Sequence, residues 1–339
     1  MIKIAINGFG RIGRLFFRRA FATEGIEIVA INDLGNLENF AYLLKYDTVY
    51  RIFDKEVKTD GENLIVDGKK IKFFQIKDPA NLPWGELGVD IVIESTGVFE
   101  SYEKASAHLK AGAKKVILSS PAKDADGVMG RTVLLGINES EADTCNLTSN
   151  GSCTTNAVSP IIAALSENPG VEKAMLNTIH SYTATQSIVD SPVKGSDFRR
   201  GRAAAQNIIP STTGAALSVT RAIKEIEGRF DGIAIRVPSV TGSIADITFI
   251  AKRDVTPEEI NDILRKAAES SQFKGILSVS DEPLVSADII GSSYASIVDA
   301  PFTKVVGGNL VKVLAWYDNE AGYVETLLAH TTLVAKNIK

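Results

Sequence analysis

The segment SNGSCTTN (149–156) sets a thiol among small polar residues, and Cys153 is one of only two cysteines in the 339-residue chain. A thiol becomes a useful nucleophile when a helix N-terminus or a histidine lowers its pKa. Both are at hand by residue type. The spacing of NAVSPIIAALSEN predicts a helix beginning just after Cys153, and His180 closes the strand-like run AMLNTIH, a rigid place to hold a base. The other histidines, His108 on a predicted helix and His330 near the C-terminus, read as surface or core residues. Sequence spacing alone does not bring Cys153 and His180 together, so their contact is a hypothesis at this level. Anion-binding residue types surround the pair. Ser152 and Thr154 flank the thiol, Thr183 and Thr185 follow the histidine, and PSTTGAA offers Thr213 and the Gly214 amide. Arg200 and Arg236 add guanidinium forks suited to phosphate.

A second constellation lies at the N-terminus. NGFGRIG places Gly8, Gly10 and Gly13 in G-x-G-x-x-G spacing, after the strand IKIAING (2–8) and before the helical run RIGRLFFRRAF. The first glycine permits a tight turn, the second lets a pyrophosphate approach the backbone, and the third allows close helix–strand packing. The helix N-terminus then favours the negative charge. Asp33, twenty residues past Gly13 at the end of the predicted strand IEIVAIND, is placed to accept hydrogen bonds from a ribose diol. An acid there disfavours a 2′-phosphate, so the cofactor expected is NAD rather than NADP.

The elements that must position these groups fall into two textures. Strands 26–33, 89–96 and 114–120 alternate with helices 36–46 and 101–113, the pattern of a parallel sheet covered on both faces. Beyond Cys153 the strands lengthen and alternate in character. Residues 231–253 read as a hairpin in a largely antiparallel sheet. Residues 256–270 read as a helix, capped by Thr256 with Pro257 at its first position and Glu259 completing a capping box. Its buried stripe is Ile260, Ile263, Leu264, Ala267 and Ala268. The stretch 182–206 reads as a long polar surface loop, and loops of that length within a domain are usually functional.

Composition narrows the function classes. The chain is 45% apolar and 23% charged with a net charge of -4, which gives no basic surface for nucleic acid. Its longest apolar runs are far short of a membrane span, and MIKIAINGFG reads as a strand and turn rather than a signal peptide. A cytoplasmic location is therefore expected, and the sequons NES and NLT carry little weight. Two cysteines eight apart suggest neither a disulfide framework nor a metal site.

These motifs together resemble the phosphorylating glyceraldehyde-3-phosphate dehydrogenases. INGFGRIGR, LLKYDTV, ESTGVF, GAKKVILSSPAKD, SCTTN, IHSYTATQ, RRGRAAAQNIIPSTTGAA, IRVPSV and WYDNEAGY occur in the family's order over nearly the whole chain. The resemblance implies an α/β fold, with a Rossmann dinucleotide-binding domain over 1–152, joined by a C-terminal helix 320–339, and an α+β catalytic domain over 153–319 with a mixed, largely antiparallel sheet. It implies that Cys153 is the nucleophile and that His180 activates it and moves the proton. Arg11 and Ile12 would offer amides to the NAD pyrophosphate, Thr96 and Ser119 would line the cleft, and Asn319 would fix the nicotinamide carboxamide with Tyr323 close by. Thr183, Thr185 and Arg236 would hold the sugar phosphate; Ser152, Thr154, Thr213 and Gly214 would hold inorganic phosphate, with Arg200 near both. A homotetramer is implied, with loop 182–206 at a subunit contact. The chain departs from the family pattern at Gly151, Ala157 and Ala321, lacks the usual acid in NDLGN, and has Ser191 before a retained Pro192. The rival activity on the same scaffold is an erythrose-4-phosphate dehydrogenase, against which the Thr183–Thr185 pair argues. The rival from another class is a non-catalytic binding relative.

Overall fold

The structure, a computed structural model, describes residues 1–193, 195–336 and 338; Lys194 of the expected polar loop, and Asn337 and Lys339 of the expected C-terminal helix, lie outside the described residues. The chain divides into two compact units, one of residues 1–133, 138–151 and 324–339, the other of residues 134–137 and 152–323.

The sheet of the first unit runs in the order Gly130–Thr132, Leu147–Ser149, Lys115–Leu118, Ile91–Glu94, Ile2–Asn7, Ile26–Asn32, Lys69–Phe74, Asn63–Val66, Val57–Thr59. Neighbours are parallel as far as Lys69–Phe74, after which two strands fold back antiparallel. From Ile2–Asn7 the chain proceeds to Ile26–Asn32 on one side and later to Ile91–Glu94 on the other, so the strand order reverses there. Such a reversal opens a crevice at the carboxyl ends of the strands. The expected Rossmann-type α/β unit is borne out. The single helix expected over 101–113 is instead two short pieces, Tyr102–Ala105 and Ala107–Lys110. Ser106 lies at the break, where its hydroxyl donates to the Glu103 carbonyl and competes with the helical ladder.

The second unit is built on a sheet in the order Ile209–Thr212, Phe230–Val237, Val171–Ser181, Ser243–Ala251, Leu310–Tyr317, Ser296–Asp299, Leu277–Ser280. Two of its neighbouring pairs are parallel and the rest antiparallel, as expected of a mixed, largely antiparallel sheet. The helix Cys153–Glu167 buries Val158, Ile161, Ile162 and Leu165 in one apolar cluster with Leu176, Ile247, Phe249 and Val313.

Two local expectations are corrected. Phe230–Val237 and Ser243–Ala251 are not a hairpin, because Val171–Ser181 lies between them, parallel to one and antiparallel to the other. The connection arches over the end of that central strand and bonds to it. Tyr182 N–H donates to the Ser239 carbonyl at 3.1 Å, and the Ser181 hydroxyl donates to the Gly242 carbonyl at 3.0 Å. Period-two alternation is the same for adjacent and for next-nearest strands, so periodicity could not tell them apart. On the helix Pro257–Glu269, Thr256 accepts from Glu259 N–H as expected, but the Glu259 carboxylate pairs with Arg253 rather than closing a capping box.

The C-terminal helix runs Ala321–Ala335, with Val324, Leu327 and Val334 buried and Leu328 and Ala335 partly so. His330 is wholly buried; its Nδ1 donates to Asn150 Oδ1 at 3.1 Å, and its Nε2 has no partner among the described residues. Burial pulls its pKa down to about 3. The folded chain holds this ring neutral while the unfolded chain protonates it below about pH 6.5. Stability should therefore fall as pH drops from about 6.5 towards 3. Replacing His330 with Leu should make the slope of unfolding free energy against pH shallower there by about one proton, ~1.4 kcal/mol per pH unit. Denaturant unfolding at pH 6, 5 and 4 measures it, and an unchanged slope would mean that the native ring is already charged.

Candidate active site

Cys153 is not ahead of the helix, as the sequence suggested, but its first residue. Ser152 is the N-cap: its hydroxyl accepts from Thr155 N–H at 3.1 Å, and the Thr155 hydroxyl accepts from Ser152 N–H at 3.2 Å. This reciprocal box fixes the direction in which Cys153 leaves the helix. His180 stands near the end of the central strand, flanked on both sides by other strands. The two meet: Cys153 Sγ lies 3.3 Å from His180 Nε2.

Parallel register places Arg236 directly beside His180. The ring Nδ1 is 2.6 Å from the Ser181 carbonyl and 2.6 Å from Arg236 Nη1, which donates to the same carbonyl at 3.1 Å. The carbonyl calls for a hydrogen on Nδ1, whereas the guanidinium, which only donates, calls for a lone pair there; with the hydrogen on Nδ1, Nε2 keeps its lone pair towards the sulfur. Burial, and then the adjacent guanidinium, hold His180 down to about 3. Burial also pushes the Cys153 thiol up, against the pull of Arg236 and of the Thr154 hydroxyl and amide. The sequence points to a lowered thiol pKa, and in the fold burial outweighs that pull. Both shifts favour a neutral thiol facing a neutral imidazole.

Behind the pair, Tyr317 bridges two hydroxyls, with its OH 2.9 Å from Thr154 Oγ1 and 2.6 Å from Thr178 Oγ1. Nothing in the sequence singles out Tyr317 or Thr178, because a Tyr or Thr in a strand is ordinary. Ser152 and Thr154 therefore turn their hydroxyls to the helix cap and to Tyr317. Thr183 and Thr185 pair at 2.9 Å, and Arg200 donates to Thr185 at 3.2 Å, to Ser211 at 3.1 Å and to Asp197 at 2.9 Å. Gly214 is the N-cap of the helix Ala215–Ala222, and Thr213 Oγ1 accepts from Ala215 N–H at 3.2 Å. Asn319 Oδ1 accepts from Gly242 N–H, Ser243 and Thr241 at 3.2, 2.9 and 3.3 Å. Its amide NH2 is thereby left as the group to offer a ligand. Tyr323 is buried in the first turn of the C-terminal helix.

In the first unit, Gly8, Gly10, Gly13, Asp33, Thr96 and Ser119 gather at the carboxyl edge of the sheet, with Arg11 and Ile12 opening the first helix. Residues 2–102 match the family "Glyceraldehyde 3-phosphate dehydrogenase, NAD binding domain", and residues 152–319 match "Glyceraldehyde 3-phosphate dehydrogenase, C-terminal domain". The glyceraldehyde-3-phosphate dehydrogenase of Geobacillus stearothermophilus is 49% identical over 95% of both chains. Glyceraldehyde-3-phosphate dehydrogenase 1 of Bacillus subtilis is 46% identical over 99% of this chain and 98% of its own. The chain belongs to the glyceraldehyde-3-phosphate dehydrogenase family. The Borreliella burgdorferi glyceraldehyde-3-phosphate dehydrogenase is 48% identical over 95% of this chain and 96% of its own.

The glycine turn of this dehydrogenase-family chain fits NAD. A Cβ on Gly13 would sit 2.1 Å from the Gly8 carbonyl, so helix and strand pack at the closest approach glycine allows. A Cβ on Gly10 would meet nothing within 4 Å, which leaves the face above the helix N-terminus open to a phosphate. Gly10 also supplies no side chain to cap the helix, and no acid occupies the first turn. Asp33 is tied to the turn by accepting Phe9 N–H at 2.7 Å and Gly35 N–H at 3.0 Å. Among the described residues no helix is long and apolar enough to cross a membrane.

In a Cys145→Ser background, where Cys153 is the sole thiol, His180→Asn should slow iodoacetamide alkylation at neutral pH on the order of a hundredfold. Equal rates for the two proteins would show that Nε2 does not take the thiol proton.

Proposed function

We propose that the chain is the NAD-dependent, phosphorylating dehydrogenase of D-glyceraldehyde 3-phosphate, forming 1,3-bisphosphoglycerate through a thioester on Cys153. The observation that carries this reading is the 3.3 Å approach of Cys153 Sγ to His180 Nε2 beside the Arg236 guanidinium. Sγ attacks the aldehyde carbon as its proton passes to Nε2 and on to the carbonyl oxygen, giving a hemithioacetal. The Cys153 amide, at the helix N-terminus, serves as the oxyanion donor. NAD, when bound, supplies the hydride acceptor. Nε2 takes the hydroxyl proton in that oxidation and leaves an acyl thioester on sulfur. A phosphate oxygen then attacks the acyl carbon, the C–S bond breaks, and the imidazolium returns its proton to the departing sulfur.

In this reading Thr183, Thr185 and Arg236 hold the substrate phosphate. An anion on Arg236 would cancel part of the charge that depresses His180 and so strengthen the base as the substrate seats. Inorganic phosphate is assigned to Thr213, the Gly214 helix terminus and Arg200, with Ser152 and Thr154 contributing beside the thiol. Asn319 would direct its amide NH2 to the nicotinamide carboxamide, with Tyr323 nearby; Arg11, Ile12, Thr96 and Ser119 would line the cofactor cleft. A cytoplasmic homotetramer is inferred from the family resemblance. The Thr183–Thr185 pair supports the triose over the four-carbon aldehyde.

Cys153→Ser should abolish NADH formation from glyceraldehyde 3-phosphate while NAD still binds by titration calorimetry; substantial residual turnover would refute the nucleophile. Omitting inorganic phosphate should stop turnover after a single acylation, and a faster rate with erythrose 4-phosphate would reassign the substrate.

A further inference from the structure

Asn32, Asn7 and Glu94 are each the last residue of a strand, and register sets Asn7 directly between the other two. They form a row beneath the carboxyl edge, at 4%, 1% and 4% exposure. Asn32 donates to Asn7 Oδ1 at 2.7 Å, and Asn7 donates to Glu94 Oε2 at 2.5 Å. On the far side Asn32 is bonded to both backbone groups of Ile76, accepting at 2.9 Å and donating at 3.0 Å.

At the other end, His108 Nε2 lies 3.0 Å from Glu94 Oε2, and Trp84 Nε1 lies 3.0 Å from His108 Nδ1. An indole N–H only donates, so Nδ1 is the acceptor and the ring hydrogen sits on Nε2, facing the carboxylate. The second carboxylate oxygen, Oε1, accepts from the amide and hydroxyl of Thr96. Glu94 thus receives four donors, two on each oxygen, so neither end of this buried side chain is left unmatched. Two of the four are on Thr96, and Thr96 abuts the glycine turn. A Cβ on Gly8 would lie 2.5 Å from Thr96 N, and the Ser95 hydroxyl donates to the Gly8 carbonyl at 2.7 Å.

We propose that Glu94, oriented by His108 and Trp84, is a positioning residue for the dinucleotide: it clamps Thr96 against the Gly8 turn and thereby sets NAD affinity. The inference rests on the reading of this edge as the NAD site. A purely structural role would be served as well by apolar residues of like volume, since a buried carboxylate is weak support for stability.

The test compares Glu94→Gln, His108→Phe and His108→Gln in the full chain. Glutamine at 108 offers an acceptor to Trp84 and a donor to Glu94; phenylalanine offers neither. Glu94→Gln and His108→Phe should raise the NAD Kd about tenfold, the usual consequence of leaving buried polar groups unmatched. His108→Gln should stay within about twofold of the parent, and kcat at saturating NAD and Cys153 alkylation without NAD should hold in all three. In a Trp316→Phe background, Trp84 emission should shift in His108→Phe and not in His108→Gln. Should Glu94→Gln fail to fold, the contrast between His108→Phe and His108→Gln makes the test by itself, with loss expected only for Phe. Parental NAD affinity in Glu94→Gln and His108→Phe overturns the proposal, as does a loss shared equally by kcat and alkylation. A parent chain that does not bind NAD sinks both the proposal and the reading beneath it; a parent that binds NAD alongside unaltered variants sinks the proposal alone.

Discussion

The chemistry depends on a sulfur and a ring nitrogen staying 3.3 Å apart although 27 residues separate them in the chain. Neither side of that contact is left to a loop. The sulfur leaves the first residue of a helix whose N-cap is doubly bonded to its first turn. The imidazole stands on a central strand with partners on both edges, and its Nδ1 is held by the carbonyl of the next residue. Tyr317 joins the two elements through Thr154 on the helix and Thr178 on the strand. A shift of one residue in strand register would turn His180 to the opposite face, so the sheet itself determines where the base points.

Both units place their polar side chains by the same device. In the first, Asn32, Asn7 and Glu94 end adjacent parallel strands; in the second, His180 and Arg236 are level on adjacent parallel strands. Parallel pairing puts equivalent ends side by side, so groups far apart in sequence converge on one edge without any loop having to be ordered. That edge is also where glycine turns and helix N-termini present amides to anions.

Much of this was legible in the residues. Gly8, Gly10 and Gly13 announce a phosphate turn by their spacing between a strand and a helix, and Gly8 and Gly13 stand where a Cβ would collide with backbone. Cys153 and His180 stand out by scarcity and by their places at element ends. What was not legible depended on tertiary neighbours. The neutral state of His180 arises from burial and from Arg236, fifty-six residues from the ring it adjoins, whereas burial raises the Cys153 thiol against the pull of that same guanidinium. The hairpin expected over 231–253 failed because alternation reports which face is buried and not which strand lies alongside. The role of His108 is not visible in the sequence, since nothing in HLKAGA shows that its ring lies between an indole and a carboxylate.

The division of the chain has a temporal consequence. The first unit needs residues 324–336, whose Thr326 and His330 bond to Asn150, yet the whole of the second unit is encoded before them. On the ribosome the segment translated first must therefore wait, its nucleotide-binding sheet lacking its last helix, until the second unit has emerged. The N-terminal segment is the earliest to be made and the latest to be completed.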